Sequence, residues 1–310
     1  MERLDFDIAV FAVNEAATIS ACIQSIDRAC AGRKAHVSVL LNGTTDNTTA
    51  ILRALRLSHV TMTVYSFPVA DKANAINHFL YHLRRNARVH IGVDAYTRIG
   101  EGSFRAIANA LDADRHALIA SALPVSGRSA TVVATNTMKG GMVNGQCYGL
   151  RPDFVDRLVK AKYRLPLQIY RVDGLLGSMA AHDLDPLNKP WDNARLIGVA
   201  GANFALTPLS IFKWRDIRRQ HKREIRQARG RMENEAIKSI IYTDGYGALP
   251  DNANAMLRIW LSNNKPAPLS LREAYFTRFA LFQLSQSRDI EQTAPASLFV
   301  QTPGLFNADF

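Results

Sequence analysis

The sequence predicts an α/β protein built on a mostly parallel, doubly wound sheet, followed by a helical C-terminal extension. Three observations carry this. Short apolar runs alternate with helix-spaced segments through the first 125 residues. Four of these units carry small polar clusters where a sheet would gather its ligands: Asn14-Glu15, Asn42–Asp46, Lys72–Asn74 and Asp94. The pattern then breaks near Ser126 and ends in a strongly basic, proline-free stretch. Strand–helix alternation of this kind implies parallel strands with helices on both faces, and ligands of such sheets collect at the carboxyl ends of the strands.

Element by element, Ile8–Val13 reads as a buried parallel strand. Ile19, Cys22, Ile23 and Ile26 then mark a helix face. Val37–Leu41 is a second strand and Asn42-Gly43 its turn. Asp46 or Thr45 is placed to cap the helix carrying Ile51, Leu52 and Leu55. Val60–Phe67 is the third strand. Ala75–Leu83 is the third helix, with Ile76, Phe79, Leu80 and Leu83 on one face. Val89–Val93 and Phe104–Leu111 form the fourth unit, and Ala117–Val125 is a further strand. This divides the chain into a main region, 1–210, with a regular half at about 1–125 and a more irregular half at about 126–210. Residues 211–310 are the extension, helical at first with a looser tail.

Composition narrows the classes. Hydrophobic residues make up 47% of 310, ordinary for a globular protein. No window approaches the ~18 apolar residues of a spanning helix. The acidic start Met1–Asp5 runs straight into a strand, which argues against a signal peptide. Cys22, Cys30 and Cys147 are odd in number and widely spread. They argue for a reducing compartment, hence a cytoplasmic protein, and against a disulfide or metal framework.

The net charge of +11 is concentrated between Lys213 and Arg231, where nine cations face two acids. That segment reads as an exposed basic helix meeting Gly230 near its end. A solvated face is one reading of it. An anionic membrane surface or a phosphorylated substrate is the other. Nucleic acid is not expected, because no zinc-finger spacing, RNA-recognition signature or interleaved aromatics accompany the charge.

The polar clusters lie in an order that resembles the family 2 glycosyltransferases of GT-A fold. Ile8–Glu15 resembles their first strand and "NE" pair. Val37–Thr48 is similar to their second strand and "NGSTDxT" turn. Asp71–Asn77 resembles "GKAxALN", and Val93–Tyr96 falls where they carry DxD. Gln146–Val155 resembles "G-x-x-Y-x-x-R", and Arg171–Leu176 resembles "EDxxL". The resemblance spans roughly residues 7–230.

It implies an inverting transfer of a sugar from a nucleotide donor to a polysaccharide or lipid-linked acceptor, with a UDP-sugar favoured. Asn14, Glu15, Asn42, Asp46, Lys72, Asn74 and Asp94 would bind the donor. Gln146, Tyr148 and Arg151 would lie on the acceptor side, and Asp173 would be the catalytic base. A divalent cation, Mg²⁺ or Mn²⁺, would sit on Asp94. Arg219, Gln220 and Arg223 fall near a "QxxRW" closing segment that here lacks its tryptophan, so a single transfer is expected rather than processive synthesis. The basic helix would hold the protein at the inner membrane face.

The residues suit that chemistry. Lys72 offers a point charge to phosphate, and a carboxylate such as Asp173 can deprotonate an attacking hydroxyl. Each also has a plainer reading. Asn14 and Asn42 can simply end strands, Lys72 can be a solvated lysine, and Asp173 can cap the helix Leu175–Ala181. The chain departs from the family at three positions. Tyr96 replaces the second DxD carboxylate, Leu41 an acid that reads uracil, and Val172 the Glu before the base. Asp94 could then hold a metal with His182 or Asp183, or Lys and Arg could neutralise the diphosphate alone. The same departures support a non-catalytic sugar-nucleotide or anion-binding protein. A nucleotidyltransferase is disfavoured, because Val13-Asn14-Glu15 stands where its glycine-rich loop would be.

Overall fold

The computed structural model describes residues 3–127, 129–206, 214–268 and 270–304; for residues 214–220 it describes the backbone alone. The first half alternates as the apolar runs dictate: β1 (Leu4–Ala12), α1 (Ile19–Ala29), β2 (Ala35–Asn42), α2 (Thr48–Ala54), β3 (Val60–Phe67), α3 (Lys72–His78, passing into a π turn, Phe79–Leu83), and β4 (Ala87–Asp94). Then come β5 (Thr97–Ile99), α4 (Ser103–Ala113), β6 (Ile119–Pro124), α5 (Ala130–Met138), β7 (Cys147–Leu150), α6 (Pro152–Lys160), α7 (Val172–Ala181) and β8 (Leu196–Leu206). The chain continues as α8 (Trp214–Asp244), α9 (Ala253–Asn263), α10 (Leu271–Gln286) and β9 (Ala296–Gln301).

Among the described residues these strands form one nine-stranded sheet, ordered β5-β8-β6-β7-β4-β1-β2-β3-β9. The half β4-β1-β2-β3 is parallel throughout. β2 is buried at every position, which is why its Val37–Leu41 stretch is mostly apolar rather than alternating. β7 enters antiparallel between β4 and β6, and β6 pairs parallel with β8. Chain order reverses at β1, between β2 and β4, so the crevice over the ends of β1 and β4 is the switch point of the sheet.

Helices cover both faces. One apolar core joins the sheet to α1, α2 and α4. The other joins it to α3, α6, α7 and the long helices α8, α9 and α10. The C-terminal region is therefore anchored in the main core, and its last segment, β9, pairs antiparallel with β3.

Three local expectations are corrected or refined. The basic helix does not end near Gly230 but runs to Asp244. A Cβ at Gly230 would lie 2.8 Å from Tyr170 Cδ1 and Arg171 Nε, so this glycine permits close packing rather than stopping a helix. The residue before α2 is Asn47 rather than Asp46 or Thr45, yet the capping bond is the expected one from Asp46, which accepts from the Thr48 N–H at 3.0 Å. Asp173 lies in the first turn of α7, and Arg171 holds the N-cap position, so Asp173 performs no capping. Lys213 lies outside the described residues.

Candidate active site

Asn14 follows β1 in a left-handed conformation, φ 53°, which asparagine tolerates better than most side chains. Its Oδ1 accepts from the Thr45 N–H at 2.8 Å and the Asp46 N–H at 3.2 Å. Asp46 in turn accepts from the Ala16 N–H at 3.0 Å, and Thr48 Oγ1 accepts from the Glu15 N–H at 3.0 Å. The loops after β1 and β2 are thus locked to each other. Burial pushes the Asp46 carboxyl up, but bonds from Thr48 and the Ala16 N–H outweigh it and hold Asp46 below the usual carboxylate range. The Glu15 carboxylate accepts from Thr18 Oγ1 at 2.5 Å. Asn42 is buried at the end of β2; its amide donates to Leu40 O at 3.3 Å, while its Oδ1 has no donor among the described residues.

The centre of the crevice is Lys72. Asp71 caps α3 by accepting from the Ala73 and Asn74 N–H groups at 2.8 and 3.2 Å, which fixes Lys72 in the first turn. Its ammonium lies 2.8 Å from Asp94 Oδ1 and 3.3 Å from Asp173 Oδ1, and 5.6 Å from the centre of the Phe11 ring. Four separate segments meet there: β1 through Phe11, α3, the end of β4, and α7. Burial works to lower the Lys72 pKa, yet Asp173 and Asp94 outweigh it and hold it well above the ordinary value. For Asp173, burial and the Asp94 charge raise the pKa while Lys72 lowers it, leaving the carboxyl above its usual range.

Around this cluster the residues expected on the acceptor side divide. Tyr96 donates to Asp94 Oδ2 at 2.8 Å, and Gln146 donates its amide to the Tyr96 hydroxyl at 3.4 Å. Burial, then the Asp94 charge, pushes the Tyr96 phenol up, so it remains a donor. Tyr148 is buried beside Lys72 and Asp173. Its hydroxyl occupies the space a side chain on Gly92 would need, 2.7 Å from a Cβ there.

Arg151 is placed elsewhere. Its guanidinium donates to the carbonyls of Ala117, Leu111 and Asp114, holding the α4–β6 turn. Asn74 donates to the Thr293 carbonyl and hydroxyl, both at 3.0 Å, and its Oδ1 has no donor among the described residues. Arg223 is exposed on α8; the side chains of Arg219 and Gln220 lie outside the described residues.

Four further residues shape this site and were not singled out from the sequence. A Cβ at Gly145 would coincide with the Asp173 carboxylate, so only glycine leaves that carboxylate its place. Gln168, at φ 61°, donates its N–H to Asp71 at 2.6 Å and accepts from the amides of Asn252 and Asn254, both at 2.8 Å. Glu233 is fully buried, accepts from the Tyr170 N–H at 2.9 Å and pairs with Arg229 at 2.7 Å. Thr293 ties the tail to α3 through Asn74. The positive φ of Gln168 and the burial of a charged helix residue are tertiary facts, and only the Asn144-Gly145 turn dipeptide left a trace in the sequence.

A divalent ion such as Mg²⁺ or Mn²⁺ takes hard oxygen ligands and usually bridges them to phosphate. Here Asp94 has both oxygens engaged, one by Lys72 and one by Tyr96, and Tyr96 donates rather than ligates. His182 bonds Lys189 O and the Tyr242 hydroxyl at 2.7 and 3.2 Å, and Asp183 is paired with Arg157, Lys189 and Arg195. Among the described residues no group of three His, Cys, Asp or Glu side chains could hold a metal. A divalent cation bridging Asp94 to phosphate would have to displace the Lys72 ammonium or the Tyr96 hydroxyl that engage its two oxygens here. The donor set fits an ammonium between two carboxylates.

No family model matches the chain, and no curated protein matches it in sequence. Solved structures do match. A mannosyltransferase from Pyrobaculum calidifontis, in complex with GDP-Man and Mn²⁺, is 18% identical, with 91% of this chain and 81% of that chain covered and a TM-score of 0.53. TarS residues 1–349 from S. aureus, in complex with UDP-GlcNAc, is 15% identical over 91% and 81%, with a TM-score of 0.52. The fold is that of GT-A glycosyltransferases, as the resemblance implied.

Proposed function

We propose that this chain is a glycosyltransferase that moves a sugar from a nucleoside-diphosphate donor to a hydroxyl of a glycan or lipid-linked acceptor, with inversion. The observation that carries the proposal is the Lys72–Asp94–Asp173 cluster at the switch point of a GT-A sheet. Both structural relatives named above are complexes with nucleotide-sugars, which supports a donor of that class.

In the proposed reaction Asp173 takes the proton of the acceptor hydroxyl as its oxygen attacks the anomeric carbon. The bond from that carbon to the diphosphate oxygen breaks, and the diphosphate leaves with the electron pair. Attack from the face opposite the leaving group inverts the centre. Lys72, kept protonated by its carboxylate neighbours, faces the charge that builds on the diphosphate, and a fixed cation at that point stabilises the transition state. Asp94, steadied by Tyr96 and Gln146, holds the ammonium in place. Asn42 Oδ1 supplies an acceptor for a donor N–H, and the clamped loops at Asn14 and Asp46 frame the nucleotide. No step runs through a metal ion.

Arg223 is offered as a phosphate contact from α8, with Arg219 and Gln220 beside it in sequence. The chain is placed in the cytoplasm, at the inner membrane face where lipid-linked acceptors are exposed. Among the described residues no helix is long and apolar enough to cross a membrane; the basic charge of α8 is what supports a peripheral placement. A UDP-sugar is the first donor to test. Transfer of labelled sugar to an acceptor panel, lost in Asp173→Asn with donor binding retained, would support the proposal. Tight donor binding without turnover, unchanged by that substitution, would favour the non-catalytic alternative that Tyr96, Leu41 and Val172 suggest.

A further inference from the structure

α10 is apolar on two opposite sides. Thr277, Ala280 and Leu284 are buried and face the core, where the helix packs against α8. Leu271, Tyr275, Phe279 and Phe282 are 91%, 50%, 38% and 62% exposed. At about 100° per residue these four fall within a sector of roughly 80°, nearly opposite the buried side. The rings of Tyr275 and Phe279 meet at 4.8 Å in a tilted pair, and His221 of α8 meets both edge-on at 6.3 and 6.1 Å. A soluble helix with one dry face would carry polar groups along its other side. This one instead presents leucine and three aromatics to solvent.

The charges around the row say what would cover it. The same 100° spacing puts Arg272 on one flank and Arg278 on the other, both exposed. The one acid of α10, Glu273, is turned away to Arg231 at 2.6 Å. Glu224 of α8 faces Arg272 at 3.6 Å, and α8 adds exposed Lys222, Arg223 and Arg226 nearby in the chain. An apolar row rimmed by arginines suits a bilayer boundary, where aromatic rings enter the headgroup layer and guanidinium groups reach outward to phosphate. A second copy of this chain is the poorer occupant, because each copy carries a net charge of +11 and repels the other.

We infer that the outer face of α10 inserts into the headgroup layer of an anionic membrane, with Leu271, Tyr275, Phe279 and Phe282 as the inserting side chains and Arg272 and Arg278 as the lipid-phosphate contacts. This rests on, and sharpens, the peripheral placement proposed above: it assigns the contact to α10 rather than to the charge of α8 alone.

The test is flotation of the full chain with vesicles of phosphatidylcholine alone or with phosphatidylglycerol. Binding is expected only with the anionic lipid. Leu271→Ser with Phe282→Ser should weaken it about tenfold or more, from the apolar area withheld, while thermal stability, which depends on the opposite face, stays unchanged. Undiminished flotation of that variant, together with loss in Lys222→Glu with Arg223→Glu, would overturn the α10 assignment and keep membrane placement through α8. No flotation of the wild type would overturn both. Sedimentation showing a dimer that the serine variant dissociates would assign the face to self-association and overturn the inference.

Discussion

Asp173→Asn isolates the base from the rest of the cluster. The amide keeps the shape of the side chain but cannot take a proton from an acceptor. In the wild type one ammonium faces two carboxylates, at 2.8 and 3.3 Å. The substitution leaves Lys72 and Asp94 as a balanced pair, with the closer contact intact. The site becomes less negative by one charge, so a donor diphosphate meets less repulsion and binds as well as before or more tightly. Loss of a positioned general base costs about 10²–10⁴ in rate, or about 2.7–5.4 kcal/mol at 1.36 kcal/mol per tenfold. The assay is twofold: kcat for sugar transfer under saturating donor, and donor Kd by calorimetry. The expected result is a kcat fall in that range with Kd unchanged or lower. A kcat fall under tenfold, or a Kd that rises in step with the loss of rate, would refute the assignment of Asp173.

Other expectations follow from the same geometry. Gly145→Ala places a methyl on the Asp173 carboxylate; the carboxylate must move, and kcat should fall about 10²-fold, the cost of misplacing a reacting group by about 1 Å, with donor Kd little changed. Lys72→Met removes the charge that lowers the Asp173 pKa, so the acid limb of the kcat–pH profile should move to higher pH; a limb that stays or moves down would contradict the coupling. His36 is buried against Thr63, and burial, then the Arg85 charge, lowers its pKa from the usual 6.5 to about 3. The unfolded chain binds this proton below pH 6.5 and the folded chain does not until about pH 3. The resulting stability is present above 6.5 and lost as pH falls toward 3. His36→Gln should flatten the rise of Tm with pH across that window.

The parallel half of the fold was legible because a strand buried on both faces is mostly apolar, as β1 is over Ile8–Ala12 and β2 over Val37–Leu41. β9 was not legible. It is an edge strand with four of its six residues exposed, between Pro295 and Pro303, and it exists because β3 offers it an edge. Gly230 misled because a glycine at a helix end and one at a close helix crossing look alike until Tyr170 and Arg171 are in place. In the site, Lys72 and Asp94 stood out as polar residues at strand and helix ends and Asp173 through the family resemblance, and the structure brings all three together. Arg151 was expected from the same resemblance, yet its partners are backbone carbonyls that no pattern of residue types reveals. Gln168 and Glu233 act through loop backbone from distant segments, so nothing local in the sequence marked them.

The most direct test of the account is thermal shift of the wild type against UDP-, GDP-, ADP- and dTDP-sugars, in EDTA and in Mn²⁺. A ligand at 100 times its Kd stabilises the folded state by about 2.7 kcal/mol, a readily visible rise. The account predicts a rise with one nucleoside-diphosphate sugar that persists in EDTA, because Lys72 supplies the cation. A rise seen only with Mn²⁺ would contradict the role given to Lys72, and no rise with any nucleotide-sugar would contradict the donor site itself.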